Sequence, residues 1–484
     1  MGIGHQLGAD RDTLITLYQT FILSKIQYGA AVYGTASPTV LRKLDTVQHT
    51  ALRIALGAFV STPVAGLHAE SGLLPLASLR DMKMCLTLYK ASTSSSTHLV
   101  TDHLAHILTF SEEGHLSSLP VLMKALLLLR DASLPVPTTP TSALSVSPLP
   151  PWHDLDSSIS LDFGFPYCKG SAPPRLAQQL FLQLHHTRYS SYTPVFTDGS
   201  RCPGRGLTTS ATYFPSLRIC RTWRLSSDHT VVAAELFAIL QALEPLKSLA
   251  PDSVVIYSDS RSGLSLLRTC YPGKYHLLVF KIHELLLQLL SQGWTISLQW
   301  VPSHAGIEGN EVVDRATRLD VPATVEFLQL ELSEAKSLVA KALHRQWDTT
   351  LAMALQTTAL GELRSDSSPS PWVRFKNRRL DVAFLRLRIG HCGLQAHRHR
   401  LRLVDSASCI WCSNLPETVE HFLLFCPRFH GPRTSLRSRL SALGVRRFTL
   451  AILLDGAGFD PPLRRQILSE TARFLSDTRQ LSRL

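Results

Sequence analysis

Long apolar runs are missing from this chain of 484 residues. None reaches the roughly 18 residues that a membrane-spanning helix requires, because Lys124 and Lys281 interrupt the best candidates. No membrane partner is therefore expected. Cysteine is scarce and odd in number, nine in all, which argues against a secreted disulfide framework and for a reducing compartment. Residues 1–10 hold no basic head followed by an apolar core, so no secretory leader is expected. Acid is in deficit as well, with 37 Asp and Glu against 49 Lys and Arg, a formal net charge of +12. That balance favours a polyanionic partner, nucleic acid ahead of a membrane surface. A hydrophobic fraction of 45% with 18% charged residues excludes wholesale disorder, and the length exceeds one ordinary domain.

Apolar residues at three and four spacing make residues 12–88 read as helical, with Gly57 and Pro63 as punctuation. A Ser/Thr-rich break follows at 91–96, then a Leu-rich helical piece at 119–130. Residues 134–151 are dense in Pro, Ser and Thr and read as an extended linker. Residues 175–186 look like one short helix, and a second boundary falls at 365–371. Between these breaks lies a unit, about 189–320, with its own rhythm. Short β-like runs occur at 193–200, 207–214, 217–225, 253–260 and 294–304, interleaved with helical patterns at 229–246, 261–269, 275–293 and 308–319. The order β-β-β-α-β-α-(α)-β-α predicts an α/β fold, a mixed five-stranded sheet with flanking helices. The expected division is a helical region at 1–90, a linker at 91–190, the α/β domain at 191–320, a helical linker at 321–370, a basic zinc-binding region at 371–430 and a helical tail at 431–484.

Four acids fall at informative places. Asp198 ends the first strand and Asp259 the fourth, Glu235 lies on the first helix of the unit, and Asp314 sits in the last. Parallel neighbouring strands would bring the two aspartates to one sheet edge, where open sheets carry their sites. Carboxylates gathered there repel one another unless a divalent cation binds, and hard oxygen ligands select Mg²⁺ or Mn²⁺. Two such ions activate a water and stabilise the leaving oxygen of a phosphodiester displacement. Taken singly, an Asp after a strand is most often a turn residue or helix cap. The joint placement, with His304 on a Gly-containing loop ten positions before Asp314, is what argues against that reading.

A second cluster lies further on. Cys409, Cys412, His421 and Cys426 have the ligand types and number of a closed structural Zn²⁺ site. The alternative is an ordinary buried-cysteine helix. The stretch before it is basic, with Arg374, Lys376, Arg378, Arg379, Arg386, Arg388, Arg398, Arg400 and Arg402 against Asp381. With Trp372, Phe375 and Trp411 as stacking faces, it is a candidate surface for phosphates and exposed bases, against the plainer reading of a solvated helix face.

The motifs TDGS (197–200), AAEL (233–236), SDS (258–260) and WVPSHAGIEGNEVVDRAT (300–317) resemble the type 1 ribonuclease H domain, and more narrowly the version in non-LTR retrotransposon polyproteins. The resemblance covers about 194–318. It implies that Asp198, Glu235, Asp259 and Asp314 bind two Mg²⁺ or Mn²⁺ ions, that His304 is a mobile residue helping protons move or product leave, and that the RNA strand of an RNA–DNA hybrid is cut to 3′-hydroxyl and 5′-phosphate ends. The segment 270–283 departs from the family, since Lys274 and Lys281 are its only Lys or Arg residues and no strongly basic substrate grip is evident. LRLRIGHCGLQAHRHRL with the Cys/His cluster resembles the segment after ribonuclease H in the same elements. YGAAVYG, KLDTVQHTALRIALGAF and HAESGLLPL resemble the reverse transcriptase thumb and connector. The palm is absent: no Tyr-x-Asp-Asp and no adjacent Asp pair occurs.

The leading expectation is a metal-dependent endonuclease on RNA–DNA hybrids, from the C-terminal portion of a reverse-transcribing polyprotein. A catalytically inactive nucleic-acid-binding remnant is the alternative. An integrase-like DNA nuclease fits the His304 loop and the Glu235 helix poorly.

Overall fold

A computed structural model of the chain describes residues 9–34, 36–92, 121–132, 134, 158–164, 174–202, 206–269, 276–319, 324–326, 328, 330–368, 375–413 and 415–484. Most of the Pro/Ser/Thr-rich stretch, residues 270–275, Trp372 and Arg374 lie outside the described residues. The chain divides into two compact units: Met1–Thr87, Leu119–Ala132 and Val339–Leu484 form one, and Leu88–Ser118 with Ser133–Leu338 the other.

The second unit holds the sheet. Its strands are β1 (Ile159–Ser160), β2 (Thr193–Cys202), β3 (Leu207–Phe214), β4 (Ile219–Leu225), β5 (Ser253–Ser258), β6 (Thr295–Trp300) and β7 (Thr324–Val325), in the order β1-β6-β5-β2-β3-β4-β7. The five strands expected from the pattern are all present, and two short ones extend the edges. β2, β3 and β4 form an antiparallel meander, whereas β2, β5 and β6 run parallel. Parallel pairing demands crossovers, and α2 (Val231–Leu243), α3 (Arg261–Leu267) and α4 (His276–Ser291) supply them.

Central strands are covered on both faces, so they read as apolar runs rather than alternating ones. Val254, Val255, Ile256 and Tyr257 of β5 are all buried. On one side α1 (Pro174–Arg188) lays Ala177 and Phe181 against the sheet, with the Phe181 ring 5.0 Å from Tyr257 and 6.0 Å from Phe196. α2 contributes Ala233, Leu236, Phe237, Ile239, Leu240 and Leu243 to the same core. Each buried large aliphatic or aromatic side chain contributes about 1.5–3 kcal/mol. α5 (Glu308–Arg318) packs on β2 so closely that a Cβ at Gly309 would lie 2.2 Å from the Phe196 ring. α6 (Leu332–Leu355) begins in this unit and leaves it at residue 339.

The first unit is helical. Leu52, Leu56 and Leu67 share one core with Leu351, Phe384, Leu387, Phe422, Leu453, Leu468 and Phe474. The helix Pro38–Leu56 stops at Gly57, whose φ of 66° lets the Ala58 N–H reach the Arg53 carbonyl at 3.0 Å. Arg388 is buried in this core, 3.0 Å from Glu70 and 3.1 Å from Asp455. No described helix is long and apolar enough to cross a membrane.

Candidate metal centre

The register of two parallel strands creates the site. Thr197 of β2 pairs with Ser258, the last residue of β5, so Asp198 in β2 and Asp259 just past the end of β5 each follow a paired residue. Adjacent strands lie about 4.8 Å apart, within reach of one small cation. Asp198 is buried and Asp259 nearly so. After Asp259 the chain turns, and Ser260 caps α3 by accepting from the Gly263 N–H at 3.1 Å. The same Ser260 hydroxyl donates to Glu235 of α2, which sets that carboxylate beside the Asp259 turn.

α5 brings the fourth acid. The Thr317 hydroxyl, with one proton to donate, lies 2.7 Å from Asp198 Oδ2 and 2.9 Å from the Asp314 carbonyl. Asn310 hydrogen-bonds Asp259 from the preceding turns of the same helix. Residues 310, 314 and 317 follow four and three spacing, so one face of α5 addresses both strand ends.

Electrostatics marks these groups as neighbours. Burial pushes the Asp198 carboxyl up, and the Asp314 charge adds to the rise against the Thr317 bond. Asp259 is pushed up to about 7, by burial first and then by Asp198 and Asp314. Such a set is held apart from its comfortable state until positive charge arrives. The donors are all oxygens, the coordination that Mg²⁺ and Mn²⁺ prefer, so the residues fit a hard divalent cation.

His304 sits on the turn between β6 and α5 with a φ of 52°. Its Nε2 accepts from Arg318 at 3.0 Å, which leaves the proton on Nδ1, 3.7 Å from Asp314 Oδ2. Arg318 also pairs with Asp314 at 2.8 Å. Half-exposed and tied only to charged side chains, the imidazole stands at the rim of the site rather than in its floor. Glu311, which the motif reading passed over, groups with His304 and Asp314 within 4.8 Å and accepts from the Gly306 N–H at 3.1 Å. Its signal was present as the three-residue spacing to Asp314. Ser260, Asn310 and Thr317 were missed too, because a hydroxyl or amide beside a carboxylate carries no mark in the sequence.

In the helical unit, Cys409, Cys412, His421 and Cys426 present their ligand atoms within 4.8 Å of one another. Cys409 and Cys426 sulfurs are 3.8 Å apart, and Cys412 Sγ is 3.4 Å from His421 Nε2. Two thiolates on one tetrahedral zinc stand about 3.8 Å apart, given Zn–S bonds of about 2.3 Å. A short hairpin builds the first half: Ser408 bridges Pro416, and the Cys409 N–H bonds the Leu415 carbonyl at 2.9 Å. A turn of π-helix, His421–Phe425, builds the second, and Arg433 holds its end through the Cys426 carbonyl at 2.9 Å. Burial keeps His421 neutral, as a ligand must be, and pushes the Cys409 thiol up to about 11.

The basic stretch beside this cluster needs correction. Arg388 is internal, Arg386 lies over the Phe59 ring at 3.9 Å, and Arg378 faces Asp381 at 3.6 Å. Phe375 packs on Phe384 at 5.4 Å rather than offering a stacking face. Lys376, Arg379, Arg398, Arg400 and Arg402 remain exposed, as does Trp411, which carries Arg428 over its ring at 5.0 Å.

The RNase H family model matches residues 190–321. No curated protein matches the chain. The mixed sheet and its flanking helices agree with that match, and residues 190–321 are a ribonuclease H-type enzyme domain within a longer chain.

Proposed function

We propose that this domain hydrolyses the RNA strand of RNA–DNA hybrids, with Asp198, Glu235, Asp259 and Asp314 holding two Mg²⁺ or Mn²⁺ ions. The observation that supports the reading is that Asp198 and Asp259 directly follow the paired Thr197 and Ser258, with Ser260 bonded to Glu235 and the Asp314 charge acting on both aspartates. Bound there, the ions would activate a water and stabilise the departing 3′ oxygen. Water attacks phosphorus, the bond from phosphorus to the 3′ oxygen breaks, and the products are a 3′-hydroxyl and a 5′-phosphate. Thr317 and Asn310 keep Asp198 and Asp259 oriented. His304, at the rim beside Asp314, would pass a proton or ease product out.

The Cys/His cluster takes Zn²⁺ as a structural ion, since no ligand position is left open. Exposed Arg398, Arg400, Arg402 and Trp411 form a candidate nucleic-acid surface within the helical unit. The chain is read as the C-terminal portion of a retrotransposon polyprotein, with residues 1–90 descended from a thumb and connector. Cleavage of matched RNA–DNA, RNA–RNA and DNA–DNA duplexes with and without Mg²⁺ tests the reading. Salt-sensitive binding without turnover would instead make the chain a nucleic-acid-binding remnant.

A further inference from the structure

The matched stretch ends at residue 321, yet the sheet unit does not. Beyond it, Glu331 and the first turn of α6 return to the entrances of two helices. Glu334 accepts from the Thr230 N–H at 2.7 Å, the N-cap residue of α2. Glu331 accepts from the Leu277 N–H at 2.9 Å, in the first turn of α4. Both acids are buried, 3% and 8% exposed.

Between them lies His229, itself fully buried. Its Nδ1 is 3.1 Å from Glu334 Oε2, and its Nε2 is 3.2 Å from the Leu328 carbonyl. A carbonyl can only accept. A carboxylate can only accept as well, and Glu334 is held in that form by N–H donors from Thr230 at 2.7 Å and Glu331 at 3.1 Å. A neutral imidazole carries one N–H and would leave one of its two contacts unmade. Only the imidazolium satisfies both. Its charge is enclosed by Glu334 and Glu331, with the Tyr89 hydroxyl bonded to the Leu330 carbonyl at 2.7 Å nearby.

α2 begins at this cluster and carries Glu235 in its second turn. Thr230 caps the helix through Ala233 and is itself held by Glu334. We propose that Glu334 and protonated His229 form a buried latch that positions Glu235, so that the working unit of the ribonuclease domain runs past residue 321 into the first turn of α6. Glu334 and His229 are positioning residues: they act through α2 and touch no metal. The proposal rests on Glu235 being a metal ligand.

The test uses the full chain and its Glu334→Gln and His229→Gln variants, with Mn²⁺ as the probe. Mn²⁺ affinity is read by paramagnetic resonance without substrate, and KM for a hybrid at saturating metal is read separately. Supporting groups behind metal ligands are worth about 10–100-fold in affinity. The latch predicts a loss of that size in Mn²⁺ affinity, with hybrid KM changed less than about threefold. A folded Glu334→Gln protein that binds Mn²⁺ as tightly as wild type overturns the latch. The wild-type His229 ring nitrogens, read by ¹⁵N NMR at neutral pH, decide the matter even should the variants not fold: two protonated nitrogens support it and one overturns it. Failure of wild type to bind Mn²⁺ would instead strike the metal-site reading, and the latch with it.

Discussion

Gly199 and Glu235 meet backbone to backbone: a Cβ on Gly199 would stand 2.4 Å from the Glu235 nitrogen. The residue after Asp198 must therefore lack a side chain for α2 to lie where it does, and one close approach sets the distance between two of the four acids.

Gly199→Ala is expected to push α2 off β2. Overpacking of this kind costs about 1–3 kcal/mol of stability. A displacement near 1 Å at a reacting centre costs on the order of 100-fold in rate. Melting curves and hybrid cleavage measured together check both figures, and an active Gly199→Ala enzyme would show that the spacing is not critical.

The raised Asp259 carboxyl gives the metal-free protein a pH dependence. Its value in the folded state, about 7, lies above the ordinary 3.8, so the protonated form is favoured by folding. The stability this contributes is fully present below about 3.8 and is lost as pH rises through about 7. The full shift corresponds to at most roughly 4 kcal/mol. Glu331, also pushed up to about 7, acts with the same sign, so Asp259→Asn isolates the part due to the site. Metal-free wild type is expected to melt lower at pH 8 than at pH 5, Asp259→Asn to show less of this slope, and saturating Mg²⁺ to restore wild type at pH 8. Thermal scans at the two pH values decide it.

Zinc removal should damage the helical unit, because Cys409 and Cys426 belong to its core. Cys409→Ser is expected to lose bound zinc and several kcal/mol of stability, since apparent binding energies of structural zinc are about 10–16 kcal/mol. With the Cys409 thiol raised to about 11, zinc binding must release protons and weaken as pH falls. Metal analysis of the purified protein and chelator-induced unfolding measure this. A zinc-free protein with an unchanged melting point would contradict it.

Arg388→Met should unfold rather than weaken nucleic-acid binding. Removing Arg388 leaves the buried Glu70 carboxylate uncompensated, while Asp455 keeps Arg464, and breaking such a buried pair costs about 3–5 kcal/mol. Arg398→Ala, at an exposed position, should instead lower the salt dependence of RNA binding by about one unit of slope, with stability unchanged. Denaturation midpoints and salt titrations separate the two classes.

The contrast between Arg388 and Arg398 shows where sequence reading stops. Both stand in one basic run, and only the tertiary partners Glu70 and Asp455, each distant in sequence, reveal that Arg388 is internal. The five main strands were legible because buried parallel strands are apolar runs closed by polar residues and Gly. β1 and β7, two residues each, were not, since their pairing with β6 and β4 comes wholly from the sheet already in place. The acids at the strand ends were visible as positions. Thr317 and the His229–Glu334 pair were not, because their meaning lies in what they hold.

The central claim is a carboxylate site that cuts RNA paired to DNA, and end-labelled RNA–DNA hybrid incubated with the full chain and Mg²⁺ tests it most directly. Cleavage of the RNA strand alone is expected, leaving 5′-phosphate ends. None is expected in chelator or by folded Asp198→Asn and Asp259→Asn proteins. An intact hybrid with wild type, or cleavage that survives both substitutions, would contradict it.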